Sequence, residues 1–119
     1  MYKIPESFDF STFKGRTISQ ISFGLNVIII FFSPEVYVQW SGRFKVSREN
    51  VKTNFEEVYP VKSDFGLLAF LEKKVETVYT DENRNNLFLI FDDESVIEII
   101  GDDAFESFTL NVNGIKTLV

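Results

Sequence analysis

The chain has 119 residues, a net charge of −6, and neither cysteine nor histidine. That composition excludes a disulfide framework, a zinc–thiolate site, a cysteine nucleophile and a Ser-His-Asp triad, so any catalysis would fall to carboxylates, lysine, tyrosine or serine. The length is that of one domain, 1–119, and the 14 phenylalanines supply a core of large side chains without a staple.

The opening MYKIPESFDF lacks the cationic-then-apolar order of a signal peptide, and the longest apolar run, 27–32, is too short for a membrane span. The expectation is a cytoplasmic, bacterial-style protein with no membrane partner. Strands are then expected over 17–23, 27–32 and 36–40, all rich in β-branched and aromatic residues. The middle one, VIIIFF, is apolar on both faces, which suits a central strand covered on two sides. The third alternates, with Val36, Val38 and Trp40 toward the core and Tyr37 and Gln39 away from it. Ile18 and Ile21 stand three apart, and a bulge between them would carry both inward.

A connecting stretch follows. Residues 50–59 fit a short strand, a helical turn or a loop. Pro60 and the KSD after it mark a loop, from which Ser63 or Asp64 can cap a short helix over 65–71, with Leu67, Leu68 and Leu71 apolar.

The second half repeats the plan, with strands expected over 74–80, 87–91 and 96–100. A shift of 59 places Phe32 on Phe91, Glu35 on Glu94, Val38 on Ile97, Trp40 on Ile99 and Gly42 on Gly101. A shift of 57 places Phe13 on Phe70, Ile18 on Val75 and Ile21 on Val78, which predicts a second bulge. The difference falls in a strand connection, where FGLN becomes YTDENRNN and a surface loop tolerates insertion. The echo reads as an internal duplication of 13–46 in 70–110. The tail 105–110 gives a seventh strand, and NVNG before IKTLV is a turn signal that leaves room for an eighth. Two similar antiparallel meanders must bury their Phe faces on each other. The expected class is therefore mainly β, a sandwich or partly open barrel with one or two short helices. The alternative is one strongly bent sheet packed on the 65–71 helix.

Charge is segregated. Residues 81–106 hold nine acids and one base, Arg84, for a net of −8, while the remainder is at +2. Such a surface does not favour nucleic acid. In a meander, the 81–86 and 92–95 connections lie at opposite ends of the middle strand, roughly 17 Å apart. The third strand returns 102–103 to the first of these ends. Asp81, Glu82, Asp102 and Asp103 should therefore cluster, Asp92, Asp93 and Glu94 should form a separate tip, and Glu98 should lie between them. An acidic edge of this kind speeds association with a cationic partner and fixes register.

The bland reading of the DDE tip is a solvated hairpin turn. It lacks the alternating acids and glycine of a calcium loop. Glycoside hydrolysis needs two carboxylates across a cleft, and this chain leaves little room for one. No metal, no cofactor and no catalytic residue is expected. Tyr37, beside Gln39, is either the solvent side of a strand or an aromatic anchor at a protein interface. Glu106 is either an interface acid or a local cap, with the structural role preferred.

The second half, LLAFLEKKVETVYTDENRNNLFLIFDDESVIEIIGDDAFESFTL, resembles a family of small bacterial domains of unknown function. The match is carried by Leu89-Ile90-Phe91-Asp92-Asp93 and by Asp103-Ala104-Phe105-Glu106-Ser107-Phe108. In the first half, Phe13-Lys14-Gly15-Arg16-Thr17-Ile18 matches the family's opening. Two departures stand out: Glu72 occupies the place of a glycine, and no Gly-rich ending follows Gly114. Proteins of this look occur among the immunity proteins of contact-dependent growth inhibition systems. The resemblance implies a non-enzymatic inhibitor that covers the active site of a cognate, cationic toxin, often a nuclease. The partner-binding candidates are Asp81, Glu82, Asp92, Asp93, Glu94, Glu98, Asp102, Asp103 and Tyr37. The other reading is a structural or adaptor domain, a monomer or weak dimer paired through an open sheet edge.

Overall fold

The computed structural model describes residues 3–101 and 108–119. Ten strands form its framework. They are β1 (Gln20–Phe23), β2 (Ile28–Ser33), β3 (Val36–Trp40), β4 (Phe44–Arg48), β5 (Val51–Phe55), β6 (Val75–Thr80), β7 (Leu87–Phe91), β8 (Val96–Ile99), β9 (Phe108–Val112) and β10 (Ile115–Leu118). They form two five-stranded antiparallel sheets packed as a sandwich. Sheet one runs β1-β2-β3-β9-β10 and sheet two runs β5-β4-β8-β7-β6. Two short 3-10 turns, Phe10–Phe13 and Leu67–Phe70, complete the described elements.

Alternation decides which residues line the interior. Ile28, Ile30 and Phe32 of β2 are buried, as are Val36, Val38 and Trp40 of β3. Their counterparts Leu87, Leu89 and Phe91 on β7 and Ile97 and Ile99 on β8 are fully buried too. The expectation that the middle strands are covered on two sides does not hold. Ile29 and Phe31 on β2, and Phe88 and Ile90 on β7, face outward and are only half-buried.

Both meanders appear where their patterns place them, and the equivalence reaches further than the sequence echo. The two 3-10 turns correspond at a shift of 57, and each ends on a buried phenylalanine. Phe13 meets Phe32 edge-on at 5.6 Å and 68°, and Phe70 meets Phe91 at 5.2 Å and 67°. After each meander the chain crosses to the other sheet and lays down a hairpin there. β4–β5 pairs with β8, and β9–β10 pairs with β3. A shift of 64 carries β4–β5 onto β9–β10, turn included. Glu49 and Asn50 have φ of 51° and 67°, and Asn113 and Gly114 have 52° and 87°. These are the left-handed pairs of a two-residue hairpin turn. Each half thus completes the sheet of the other.

Several sequence expectations are corrected. The first strand begins at Gln20 rather than at 17, because the backbone of 16–18 is drawn away to pair with 73–75 through the Thr17–Lys74 bridge. The bulge of the second half is present between Val75 and Thr77, and it buries both Val75 and Val78. In the first half the irregularity sits at the strand entry. Ser19 donates its N–H to Phe31, the residue that faces Gln20, so two residues meet one. Ile18 is buried there, and Ile21 only partly.

The helix expected over 65–71 shrinks to the 3-10 turn. Phe65 and Gly66 both have positive φ, 55° and 76°, so helical geometry starts only at Leu67. Asp64 still serves that end, accepting from the amides of Gly66 and Leu68 at 3.2 and 3.3 Å. Leu67 and Phe70 are buried, whereas Leu68 and Leu71 are exposed. Finally, β4 was not expected, and the ambiguous 50–59 stretch contains a strand, β5.

Candidate protein-binding surface

The predicted acids separate into those that hold turns together and those that are free. Asp81 closes the β6–β7 connection. Its Oδ1 accepts from the amides of Asn85 and Asn86 at 2.8 and 3.1 Å. Arg84, the lone base of the acidic segment, adopts φ 59° in that turn. Its guanidinium is spent on the N-terminal segment, donating to the carbonyl oxygens of Ile4, at 2.6 Å, and Pro5. Among the described residues, Arg84 therefore pairs with no carboxylate. Glu82, beside it, is exposed and contacts no described residue through hydrogen bond or ion pair.

At the other end of β7, Asp93 is likewise structural. Its carboxylate pairs with the Lys73 ammonium and accepts from the Ser95 hydroxyl and, at 3.0 Å, the Ser95 amide. The lysine first, then the serine, hold its carboxyl well below the usual carboxylate range. Asp92 and Glu94 flank it with exposed side chains, Glu94 in the left-handed region at φ 71°. The DDE stretch is thus a hairpin turn organised by its middle residue, with one exposed acid on either side that has no side-chain partner among the described residues.

Glu98 lies on the outer face of β8, half-buried, and accepts from the Asn86 side chain at 3.3 Å. Asp102 and Asp103 lie outside the described residues, as does Glu106. Gly101, just before them, donates its amide to Asn86 Oδ1 at 3.1 Å. Tyr37 is on the outer face of sheet one, packed on Phe31 with ring centres 5.3 Å apart. It shares that face with Gln39 but belongs to the sheet that does not carry the acids.

The residue row that sequence reasoning missed crosses all five strands of sheet two. Register places Tyr79, Phe88, Glu98, Lys45 and Asn54 side by side on the outer face. Tyr79 and Phe88 are stacked at 4.8 Å with an interplanar angle of 9°, and Tyr79 remains 46% exposed. The equivalent row of sheet one reads Ser22, Ile29, Gln39, Thr109 and Leu118. The fold imposes the same backbone on both rows, yet only sheet two carries the aromatic stack and the charges. The sequence did hold a signal, since Phe88 lies on the second apolar face of its strand.

Comparison with protein-family models, with curated proteins and with solved structures returned no match for this chain.

Proposed function

We propose that the chain is a non-catalytic binding protein of the immunity type, which neutralises a cationic protein toxin by covering it with the outer face of sheet two. The observation that carries this reading is the asymmetry between the two equivalent rows. An aromatic pair, Tyr79 and Phe88, stands on the β6–β7 side of a face that also carries Glu98, and the exposed acids Glu82, Asp92 and Glu94 lie in the turns at the two ends of β7. Exposed aromatic residues bordered by polar groups are enriched at protein interfaces. The acids would steer a basic partner and set its register, while the aromatic stack would supply the desolvated contact. Asp81 and Asp93 drop out of the contact set, because their carboxylates are committed to turns. Tyr37 belongs to another surface. The resemblance to growth-inhibition immunity proteins points the same way.

The test is capture of partners from a lysate of the encoding organism, with the intact chain and with a variant carrying Tyr79→Ala and Glu98→Lys as baits. The reading expects one basic protein, retained at low salt by the intact chain and lost by the variant, whose toxicity in cells is relieved by co-expression of the intact chain. A partner held equally by both baits, or no basic partner while a toxin is being expressed, would overturn it.

A further inference from the structure

β5 is an edge strand of sheet two, paired only with β4. Its two-residue turn makes Arg48 and Val51 the closing, hydrogen-bonded pair, and antiparallel alternation then bonds Thr53 and Phe55 to β4. The equivalent pair on the other hairpin behaves this way, with Phe108 and Val119 exchanging both backbone hydrogen bonds at 3.3 and 2.9 Å. The amides and carbonyls of Lys52 and Asn54 therefore point off the sheet, with no strand beyond them among the described residues. Natural edges are usually blunted by charged side chains, proline, a bulge or a covering element, and Lys52 is the one such charge on β5. β5 has neither proline nor a register shift, and four of its five residues are exposed. By contrast, the edge strand β6 carries a bulge, and its start is met by the backbone of Gly15 and Arg16.

Two further observations bear on this edge. On its inward side, Val46, Val51 and Thr53 face Phe65 and Gly66 across a groove of about 260 Å³, and Val51 is 65% exposed within it. Phe65 packs edge-on against Phe55 at 5.1 Å at one end of β5 and Arg48 donates to the Gly66 carbonyl at 3.5 Å, while Val51 and Thr53 stay exposed. The charge is also inverted: 43–55 holds four bases and one acid in a chain whose net charge is −6. Neither Arg48 nor Lys52 forms an ion pair with any described residue.

We propose that β5 is a strand-addition site for an extended segment of a partner protein in which apolar and acidic residues alternate. The incoming backbone pairs with the free groups of Lys52 and Asn54. Its apolar side chains enter the groove beside Val51 and Phe65, and its acids fall on the outer side next to Lys52 and Lys45, as the period of two in a strand requires. A second copy of this chain is a poorer occupant. Pairing β5 with itself brings Lys52 against the same basic ribbon, and like charges across a ladder are destabilising. This site meets the outer-face row only at Lys45 and Asn54, at the opposite edge of the sheet from Tyr79, and takes a segment of opposite charge, so its test is separate from that of the function proposed above.

The experiment uses the intact chain and two capped octapeptides, one alternating valine with glutamate and one alternating valine with lysine. Binding is measured by calorimetry and the site is read by amide hydrogen exchange. The glutamate peptide is expected to bind at least about tenfold more tightly than the lysine peptide, and to slow exchange at Lys52 and Asn54. Lys52→Glu, at an exposed position, should invert the preference. Asn54→Pro, which removes an outward N–H and leaves the β4 ladder intact, should abolish binding of either peptide. Equal binding of the two peptides, no binding, protection elsewhere than β5, or self-association of the chain through β5 would each overturn the proposal.

Discussion

Thr17 and Lys74 face each other in an antiparallel bridge, and they are the same position in the two halves of the chain, 57 residues apart. The hydrogen bonds around them come in matched pairs. Gly15 N–H to Val75 O at 2.8 Å is mirrored by Glu72 N–H to Ile18 O at 2.9 Å, and Ile18 to Lys73 at 3.2 Å by Val75 to Arg16 at 2.8 Å. A pseudo-twofold axis passes through this bridge, and the two exchanged hairpins are related by it.

The axis yields a stability prediction. Gly15 and Glu72 are equivalent, and both take left-handed conformations, with φ of 80° and 70°. Glycine adopts that region freely, whereas an L residue with a side chain pays roughly 1–2 kcal/mol there. Glu72→Gly should therefore raise unfolding stability by about 0.5–1 kcal/mol after the added entropy of the unfolded glycine is counted, and Gly15→Glu should lower it by about the same amount. Urea denaturation of the two variants measures both. A loss on Glu72→Gly would show that the glutamate side chain contributes more than its backbone costs.

Gly42 and Gly101 form a second equivalent pair, related by a shift of 59, with different constraints. A Cβ on Gly101 would run into the carbonyl of Asn85, whereas one on Gly42 would meet nothing within 4 Å. Gly101→Ala should cost about 1–3 kcal/mol through displacement of the 81–86 turn. Gly42→Ala should stay within about 0.5 kcal/mol of the parent. Thermal unfolding of both variants distinguishes a steric requirement at one position from a general intolerance of alanine in these crossings.

The meanders were legible in the sequence because their strands alternate sharply and their core residues recur at fixed shifts. Of the exchanged hairpins, the second was legible from the NVNG turn before IKTLV, and the first was not. FKVSR shows only two inward apolar residues, β5 is almost wholly exposed, and the turn between them is Glu49-Asn50 rather than an Asn-Gly pair. A third shift, of 64, onto FTLNV-NG-IKTLV would have revealed them. Which sheet each hairpin joins is a tertiary choice, with no local signal. In the candidate site, acidity was legible but role was not. Asp81 and Asp93 look like Glu82 and Asp92 in sequence, and differ only in the amides and the lysine that the turns bring to them. Tyr79 escaped notice because the bulge in β6 breaks the alternation that would have placed it opposite Phe88.

The Asp93–Lys73 pair predicts a pH dependence. The folded pKa of Asp93 is lowered, so its contribution is fully present above the unfolded carboxylate value of about 3.9 and is lost as pH falls through that value toward the folded one. Its side chain is 46% exposed, which limits the pair to about 1 kcal/mol or less. The difference in stability between the parent and Asp93→Asn should be constant from neutrality down to about pH 5 and shrink below that. Urea denaturation across that range measures it, and a difference that grows on acidification would mean that Asp93 does not carry the charge assigned to it.

The division of the acids into structural and free groups predicts a crossed pattern of effects. Asp81→Asn keeps the shape but weakens two charge-assisted hydrogen bonds to the turn amides, which should cost about 1–2 kcal/mol of stability. Glu82→Lys and Glu94→Lys touch exposed side chains with no partner among the described residues, so stability should change by less than about 0.5 kcal/mol. Affinity for a cationic partner should respond in the opposite order. The two reversals together should weaken capture by about tenfold or more and flatten its salt dependence, because surface charges act through a field that salt screens. Asp81→Asn should leave the salt dependence unchanged at temperatures where the variant is folded. Measuring stability and partner affinity on the same three variants separates the roles. If capture fell only with stability and never with exposed charge, the acidic rim would be a solvated surface, and the aromatic pair Tyr79–Phe88 would have to account for binding alone.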